Sequence, residues 1–370
     1  MEPNSPPNTR WKLVLVASLA VALILTVAGC GSREQGRTAG EEGRPRVAHL
    51  NGAGASFPYP LYSKWIQEYK KIEPEVNIDY QSIGSSGGIN NILKETVDFA
   101  GSDAPMKDEQ LAKAPGQILH LPMVAGAVVI TYNLDGAGKG LKLTPEIIAD
   151  IFLGNIQKWN DHRIATLNPD IKLPDTDIAV VHRSDGSGTT NIFTDYLSKV
   201  SPAWKEKVGT GTSVEWPVGI GGKGNEGVAG TIKQTPGSIG YVELAYALQN
   251  NLPYASVKNK AGKFVEPTLE TTTAAAAGAA AAMPADLRVS LTDPPGENAY
   301  PIAGYTYLLV YKDQKDKTKG EALARFLWWA LHDGQKWAQD LFYAPLPPVT
   351  VKAVENKIKE LNYKGETFIK

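Results

Sequence analysis

At 370 residues the chain is too long for one ordinary core, and 42% apolar with 21% charged residues describes a folded chain of two domains, not a disordered one. The formal net charge of −1, without runs of Lys and Arg, excludes the basic footprint that nucleic acid requires. Its one cysteine, Cys30, excludes an internal disulfide and a cysteine-built zinc site.

Arg10 and Lys12 precede an apolar run from Leu13 to Val27, and Val27-Ala28-Gly29-Cys30 sets small residues before the cysteine. The pattern resembles a bacterial lipoprotein signal, residues 1–29, cut before Cys30, whose thiol then carries a diacylglyceryl group. A transmembrane anchor is the alternative, but about 15 to 17 apolar residues is short against the roughly 20 of a span. Either way the body of the chain is expected outside the cytoplasm. Residues 30–46 are polar and Gly-rich with no apolar period, as a flexible tether would be.

Val47 to Leu50 reads as a strand, followed by Asn51-Gly52-Ala53-Gly54-Ala55-Ser56-Phe57-Pro58. Phe57 stands where a dinucleotide fingerprint needs its third glycine, which excludes that motif. Pro58 and Pro60 suit a first helical turn, and Leu61, Trp65 and Tyr69 then recur on one face. Ser56 and the N–H of Phe57 are left at the helix start, where an oxyanion can bind; simple capping by Ser56 fits equally well. Val76, Ile78 and Tyr80 alternate as a strand does, and Gly84-Ser85-Ser86-Gly87-Gly88 leads into the spacing Ile89, Ile92, Leu93. This matches Gly-x-Ser-x-Gly with Ser86 as nucleophile, but none of the five histidines stands where a base would be expected. A second anion-cradling helix start, with Ser85 as donor, is the preferred reading.

Val97 to Pro105 reads as a short strand ending in a turn, with Asp103 at the strand's carboxyl end, the edge where open α/β sheets bind ligands. An ionised Asp accepts only from a ligand that still carries O–H, so it favours protonated phosphate over sulfate. A turn aspartate capping its own backbone is the alternative. Ile118 to Tyr132 is nearly continuous in apolar residues, broken by Pro122 and Gly126, which predicts buried strands and a crossing into another domain. Thr144-Pro145-Glu146 opens a helix that Gly154 stops.

The stretch Ile178 to Thr194 passes from an apolar strand, through Arg183-Ser184-Asp185-Gly186-Ser187-Gly188-Thr189, into a helix. Free N–H groups at the helix start, two hydroxyls and an Arg fork are what a small anion needs, although Ser187 and Thr189 could merely cap. Gly222-Lys223-Gly224 fails as a P-loop, because Gly224 replaces the required Ser or Thr and no clear strand feeds it. Pro236 to Tyr241 turns into a strand, Ala274 to Ala282 is an alanine tract of high helix propensity, Tyr305 to Tyr311 is a strand, and Leu323 to Leu331 and Val351 to Leu361 are terminal helices.

Four separated segments agree with one family. Gly52-Ala-Gly-Ala-Ser-Phe-Pro, Ile83-Gly-Ser-Ser-Gly-Gly, Asp98-Phe-Ala-Gly-Ser-Asp-Ala-Pro and Arg183-Ser-Asp-Gly-Ser-Gly-Thr resemble the ligand-binding segments of the phosphate-binding proteins of bacterial ABC-type phosphate uptake systems. Ile151-Phe-Leu-Gly-Asn-Ile-Gln-Lys-Trp-Asn-Asp, Asn225-Glu-Gly-Val-Ala, Pro236-Gly-Ser-Ile-Gly-Tyr-Val-Glu and Tyr343-Ala-Pro-Leu-Pro are similar to the framework between them, over about residues 47 to 361. Ser56 stands where the family often has Thr.

The resemblance implies a type II periplasmic-binding-protein fold: two α/β domains, 47–130 plus 303–370 and 131–302, with two crossing strands as hinge and the ligand in the interdomain cleft. It implies phosphate donors at Ser56, the N–H of Phe57, Ser85, Arg183, Ser187, Gly188 and Thr189, a proton acceptor at Asp103, and an orienting partner for Arg183 at Asp185. The implied protein is a monomeric extracytoplasmic receptor, lipid-anchored through Cys30 to the membrane, without cofactor, metal or catalysis. It gives inorganic phosphate to the permease and ATPase subunits of an ABC transporter. A receptor for sulfate or molybdate, a secreted serine hydrolase or phosphatase, and a phosphate sensor without transport remain as alternatives.

Overall fold

Alternating apolar residues set the first strands of a computed structural model that describes residues 47–370; the expected signal peptide, Cys30 and the tether lie outside the described residues. β1 (Ala48–Gly54) runs parallel to β2 (Val76–Ser82) on one side and to β3 (Phe99–Ser102) on the other. The helix Tyr59–Ile72 joins β1 to β2 and buries Leu61, Trp65 and Tyr69 along one face, as their spacing predicts; the helix Ser85–Leu93 joins β2 to β3. Parallel pairing forces such crossovers, so each helix starts at the carboxyl edge of the sheet.

β4 (Ile118–Asn133) follows, then β5 (Ala179–Arg183), β6 (Ile220–Gly222), β7 (Ser238–Glu243) and β8 (Ala303–Tyr311). They complete one eight-stranded sheet in the order β2-β1-β3-β8-β4-β7-β5-β6. The sequence suggests an apolar run broken at Pro122 and Gly126, but β4 is a single strand of 16 residues, buried through Tyr132. Pro122 has no N–H to give; it lies opposite Tyr307, where the register with β8 shifts, and this irregularity accommodates the missing donor. Gly126 makes room for a side chain, since a Cβ there would lie 2.5 Å from the Phe57 ring.

β4 also changes partner. Residues up to Ala127 pair antiparallel with β8, and residues from Val128 onward pair antiparallel with β7. The chain returns beside it at Ile302, whose carbonyl accepts from the Val128 N–H at 2.8 Å. The sheet therefore has a first half (β1, β2, β3, β8 and the start of β4) and a second half (the end of β4, β7, β5 and β6).

In the second half β5 is parallel to both β7 and β6, and the helices Gly188–Val200 and Gly224–Gln234 follow β5 and β6. A short strand does feed Gly222-Lys223-Gly224, contrary to expectation: β6 has three residues, two of them glycine, too few for an apolar pattern. Gly224 after Lys223 still excludes a P-loop. The helices Lys317–Leu331 and Pro348–Lys359 return to the first half and pack on β1 and β4. Among the described residues no helix is long and apolar enough to cross a membrane.

Candidate functional site

The helix starts of the two halves face each other, and Ser85 lies where they meet. Its hydroxyl oxygen accepts from the Asp103 N–H at 3.2 Å within the first half and from the Gly188 N–H at 3.0 Å in the second. Gly188 has to be glycine, because a Cβ would sit 2.5 Å from Ser85 Oγ and 2.6 Å from Asp103 Cβ. Ser56, Phe57, Ser85, Asp103, Arg183, Ser187 and Thr189 are all buried here.

Local structure explains each placement. Ser187 is the N-cap of Gly188–Val200, its hydroxyl accepting from Thr190 N–H at 3.1 Å, so the capping reading holds for that residue. Ser56 caps nothing: the helix after it starts from Pro58 without a side-chain cap, and Ser56 Oγ instead accepts from Asn225, through its N–H at 3.2 Å and Nδ2 at 2.9 Å. The same Asn225 Nδ2 donates to Thr189 Oγ1 at 3.0 Å. Ser86, the hydrolase alternative, donates to Thr212 at 3.0 Å, and no histidine ring among the described residues bonds to it.

Charge is sparse and tightly paired. Arg183 directs Nε to Asp185 Oδ1 at 2.8 Å and Nη2 to Oδ2 at 2.6 Å, a two-pronged bond that fixes the guanidinium plane. Burial raises the Asp185 carboxyl, but Arg183 and the Gly224 N–H outweigh it and hold it below the usual carboxylate range. Asp103 goes the other way. Burial pushes it up to about 7, and the nearby Thr306 hydroxyl, the Arg183 charge and Ser85 pull back only part of that rise. Its Oδ2 meets Ser85 Oγ at a long 3.4 Å, while Oδ1 and the buried Thr306 Oγ1 are outside hydrogen-bond geometry with any described group. Asp103 is thus an acceptor with capacity to spare.

Several residues that sequence reasoning passed over complete the site. Three tyrosine hydroxyls take three successive carbonyls of the loop after β1: Tyr80 to Ala55 at 2.9 Å, Tyr246 to Ser56 at 2.6 Å and Tyr343 to Phe57 at 2.7 Å. Tyr343 also lies 3.1 Å from Glu243 Oε2. Glu243 Oε2 also accepts from the Ala245 N–H at 2.9 Å, and burial drives that carboxyl well above its usual range. Asn225 and Glu243 lie within the framework segments Asn225-Glu-Gly-Val-Ala and Pro236-Gly-Ser-Ile-Gly-Tyr-Val-Glu, and nothing in their local sequence marks them as neighbours of Ser56 or Tyr343.

The family model for the PBP superfamily domain matches residues 39–333. The phosphate-binding protein PstS of Xylella fastidiosa (strain Temecula1) is 46% identical over 350 residues, covering 91% of this chain and 95% of that one. PstS of Pasteurella multocida (strain Pm70) is 48% identical over 311 residues, covering 84% and 90%. Among solved structures, the periplasmic phosphate-binding protein PfluDING, bound with phosphate, shares the fold with a TM-score of 0.67 at 22% identity, over 83% of this chain and 93% of that one. The two-half sheet and these likenesses agree, and the chain belongs to the PBP superfamily and, within it, to the PstS phosphate-binding proteins.

Proposed function

We propose that the chain captures inorganic phosphate between the two halves of its sheet and presents it to the permease of an ABC transporter for import. The carrying observation is the meeting of donors from both halves, joined through Ser85 and Gly188, around one carboxylate acceptor, Asp103. Desolvating phosphate is unfavourable unless nearly every oxygen finds a donor. The donors are Ser56, the Phe57 N–H, Ser85, Arg183, Ser187, Gly188 and Thr189, with Asp185 orienting Arg183. Asp103 takes the proton that phosphate retains near neutral pH and sulfate lacks, which turns a general oxyanion pocket into a selective one.

The two jaws are about residues 47–130 with 303–370 and about residues 131–302; β4 changes partner close to that boundary, at Val128, where the chain also returns at Ile302, and we place the hinge there. In this reading the site binds and releases its ligand unchanged; Ser86 donates to Thr212, and no histidine ring bonds to it among the described residues. The chain acts as a monomer on the extracytoplasmic face, held to the membrane by a lipid on Cys30. Calorimetry on the purified chain tests the ligand reading: tight phosphate binding with little heat from sulfate is expected, and equal affinities would remove Asp103 from its role.

A further inference from the structure

We propose that Asn225 is a positioning residue that obliges the Ser56 and Thr189 hydroxyls to act as hydrogen donors toward the bound anion. This rests on the phosphate reading above and names how two of its donors acquire their direction. A serine or threonine hydroxyl has one hydrogen and two lone pairs, and on its own it turns to suit its surroundings. Around an anion that freedom weakens binding, because a hydroxyl that points its hydrogen elsewhere presents an oxygen to an oxygen.

Asn225 removes the freedom at both places. It is fully buried. Its backbone N–H and Nδ2 both donate to Ser56 Oγ, at 3.2 and 2.9 Å, which occupies both lone pairs of that oxygen. Nδ2 also donates to Thr189 Oγ1 at 3.0 Å, and Arg183 Nη1 approaches the same oxygen at 3.4 Å. Loaded with donors as acceptors, the two hydroxyls are left with their hydrogens to give, and neither gives to a protein group among the described residues. Both are buried, at 2% and 0% exposure, so the acceptor they require has to enter the cleft.

The amide itself cannot be reversed. Asn225 Oδ1 accepts from the Glu243 N–H at 2.9 Å, and a backbone N–H never accepts, so the NH₂ end must face Ser56 and Thr189. Asn225 belongs to the Gly224–Gln234 helix of the second half, whereas Ser56 belongs to the first. The Ser56 hydroxyl is therefore oriented only when the halves are together, so closure and donor alignment are one event.

The test is a mutant cycle read by phosphate titration of the purified chain. Wild-type binding of phosphate is measured first; its absence would overturn the phosphate reading and this inference with it. Given binding, Asn225→Ala is expected to weaken affinity about tenfold, and in a Ser56→Ala/Thr189→Val background the same change is expected to matter less than about twofold, because its route to the ligand has gone. An equal factor in both backgrounds would show that Asn225 serves the fold alone and would overturn the inference while leaving phosphate binding intact. Asn225→Asp covers the case in which the alanine variant does not fold. It keeps the shape and the Glu243 contact but turns the donor into an acceptor, so binding weaker than wild type by about a hundredfold or more is expected; affinity near wild type would overturn the inference.

Discussion

Gly188 and Ser85, 103 residues apart in sequence, are joined by a 3.0 Å bond from the Gly188 N–H to the Ser85 hydroxyl. The contact leaves no space for a side chain. A methyl group on Gly188 would press on Asp103 Cβ, which is tied to the main chain of the first half and cannot swing aside as a flexible side chain would. Gly188→Ala should hold the halves apart and weaken phosphate binding about a hundredfold, equivalent to ~2.7 kcal/mol. The helix itself should tolerate alanine, so melting without ligand should change little. Titration calorimetry and a melt of the same sample check both; unchanged affinity would mean that the halves do not close in this way.

Asp103 makes a prediction about stability as well as selectivity. Its pKa rises from 3.8 unfolded to about 7 folded, so between those values the folded chain binds more protons than the unfolded one. Stability without ligand therefore falls as pH rises through that window, and the penalty is complete above it. Asp103→Asn should raise the unfolding free energy at pH 8 by roughly 2–4 kcal/mol and give little gain near pH 3.5. The same variant should lose most of its preference for phosphate over sulfate. Denaturant titrations at the two pH values provide the check, and an identical shift at both would sever the effect from the Asp103 proton.

The helix starts at Ser85 and Gly188 and the turn at Asp103 were legible because they are local: glycine and hydroxyl clusters after an alternating or apolar strand announce them within ten residues or so. Other parts could not be read that way. Asn225 reaches Ser56 across 169 residues and Tyr246 reaches it across 190, and neither sits in a pattern that marks a ligand contact. Pro122 misled by its ordinary meaning as a strand breaker, since the compensating irregularity involves the distant Thr306 and Tyr307. The capping alternative for Ser56 falls only through a distant residue, Asn225, which donates to its oxygen while the following helix has no side-chain cap.

Arg183→Lys is expected to be far from conservative. The guanidinium gives two bonds to Asp185 and keeps further N–H groups for a ligand, while an ammonium cannot span both carboxylate oxygens in one plane and still face the cleft. Loss of the fork should weaken phosphate binding by about 30- to 100-fold, or roughly 2–3 kcal/mol. Asp185→Asn should produce a smaller loss, since one acceptor oxygen remains. Titrations of the two variants decide it; a lysine variant that binds as well as wild type would show that only the charge matters.

Tyr246 offers the cleanest test of how the Phe57 N–H is aimed. In a trans peptide the carbonyl of Ser56 and the N–H of Phe57 lie in one plane and point in opposite directions, so fixing the first fixes the second. Tyr246 fixes it from the second half with a 2.6 Å bond to the Ser56 carbonyl. Removing the hydroxyl should not leave that carbonyl unpaired, because the Tyr59 N–H also reaches it at 3.1 Å. Tyr246→Phe should therefore fold normally yet lose a contact made only when the halves are closed. Phosphate should leave about five times faster while its association rate stays within about twofold, since contacts formed at closure act on release. Stopped-flow kinetics separate the two rates, and a change confined to association would place Tyr246 in the encounter with phosphate instead of in its retention.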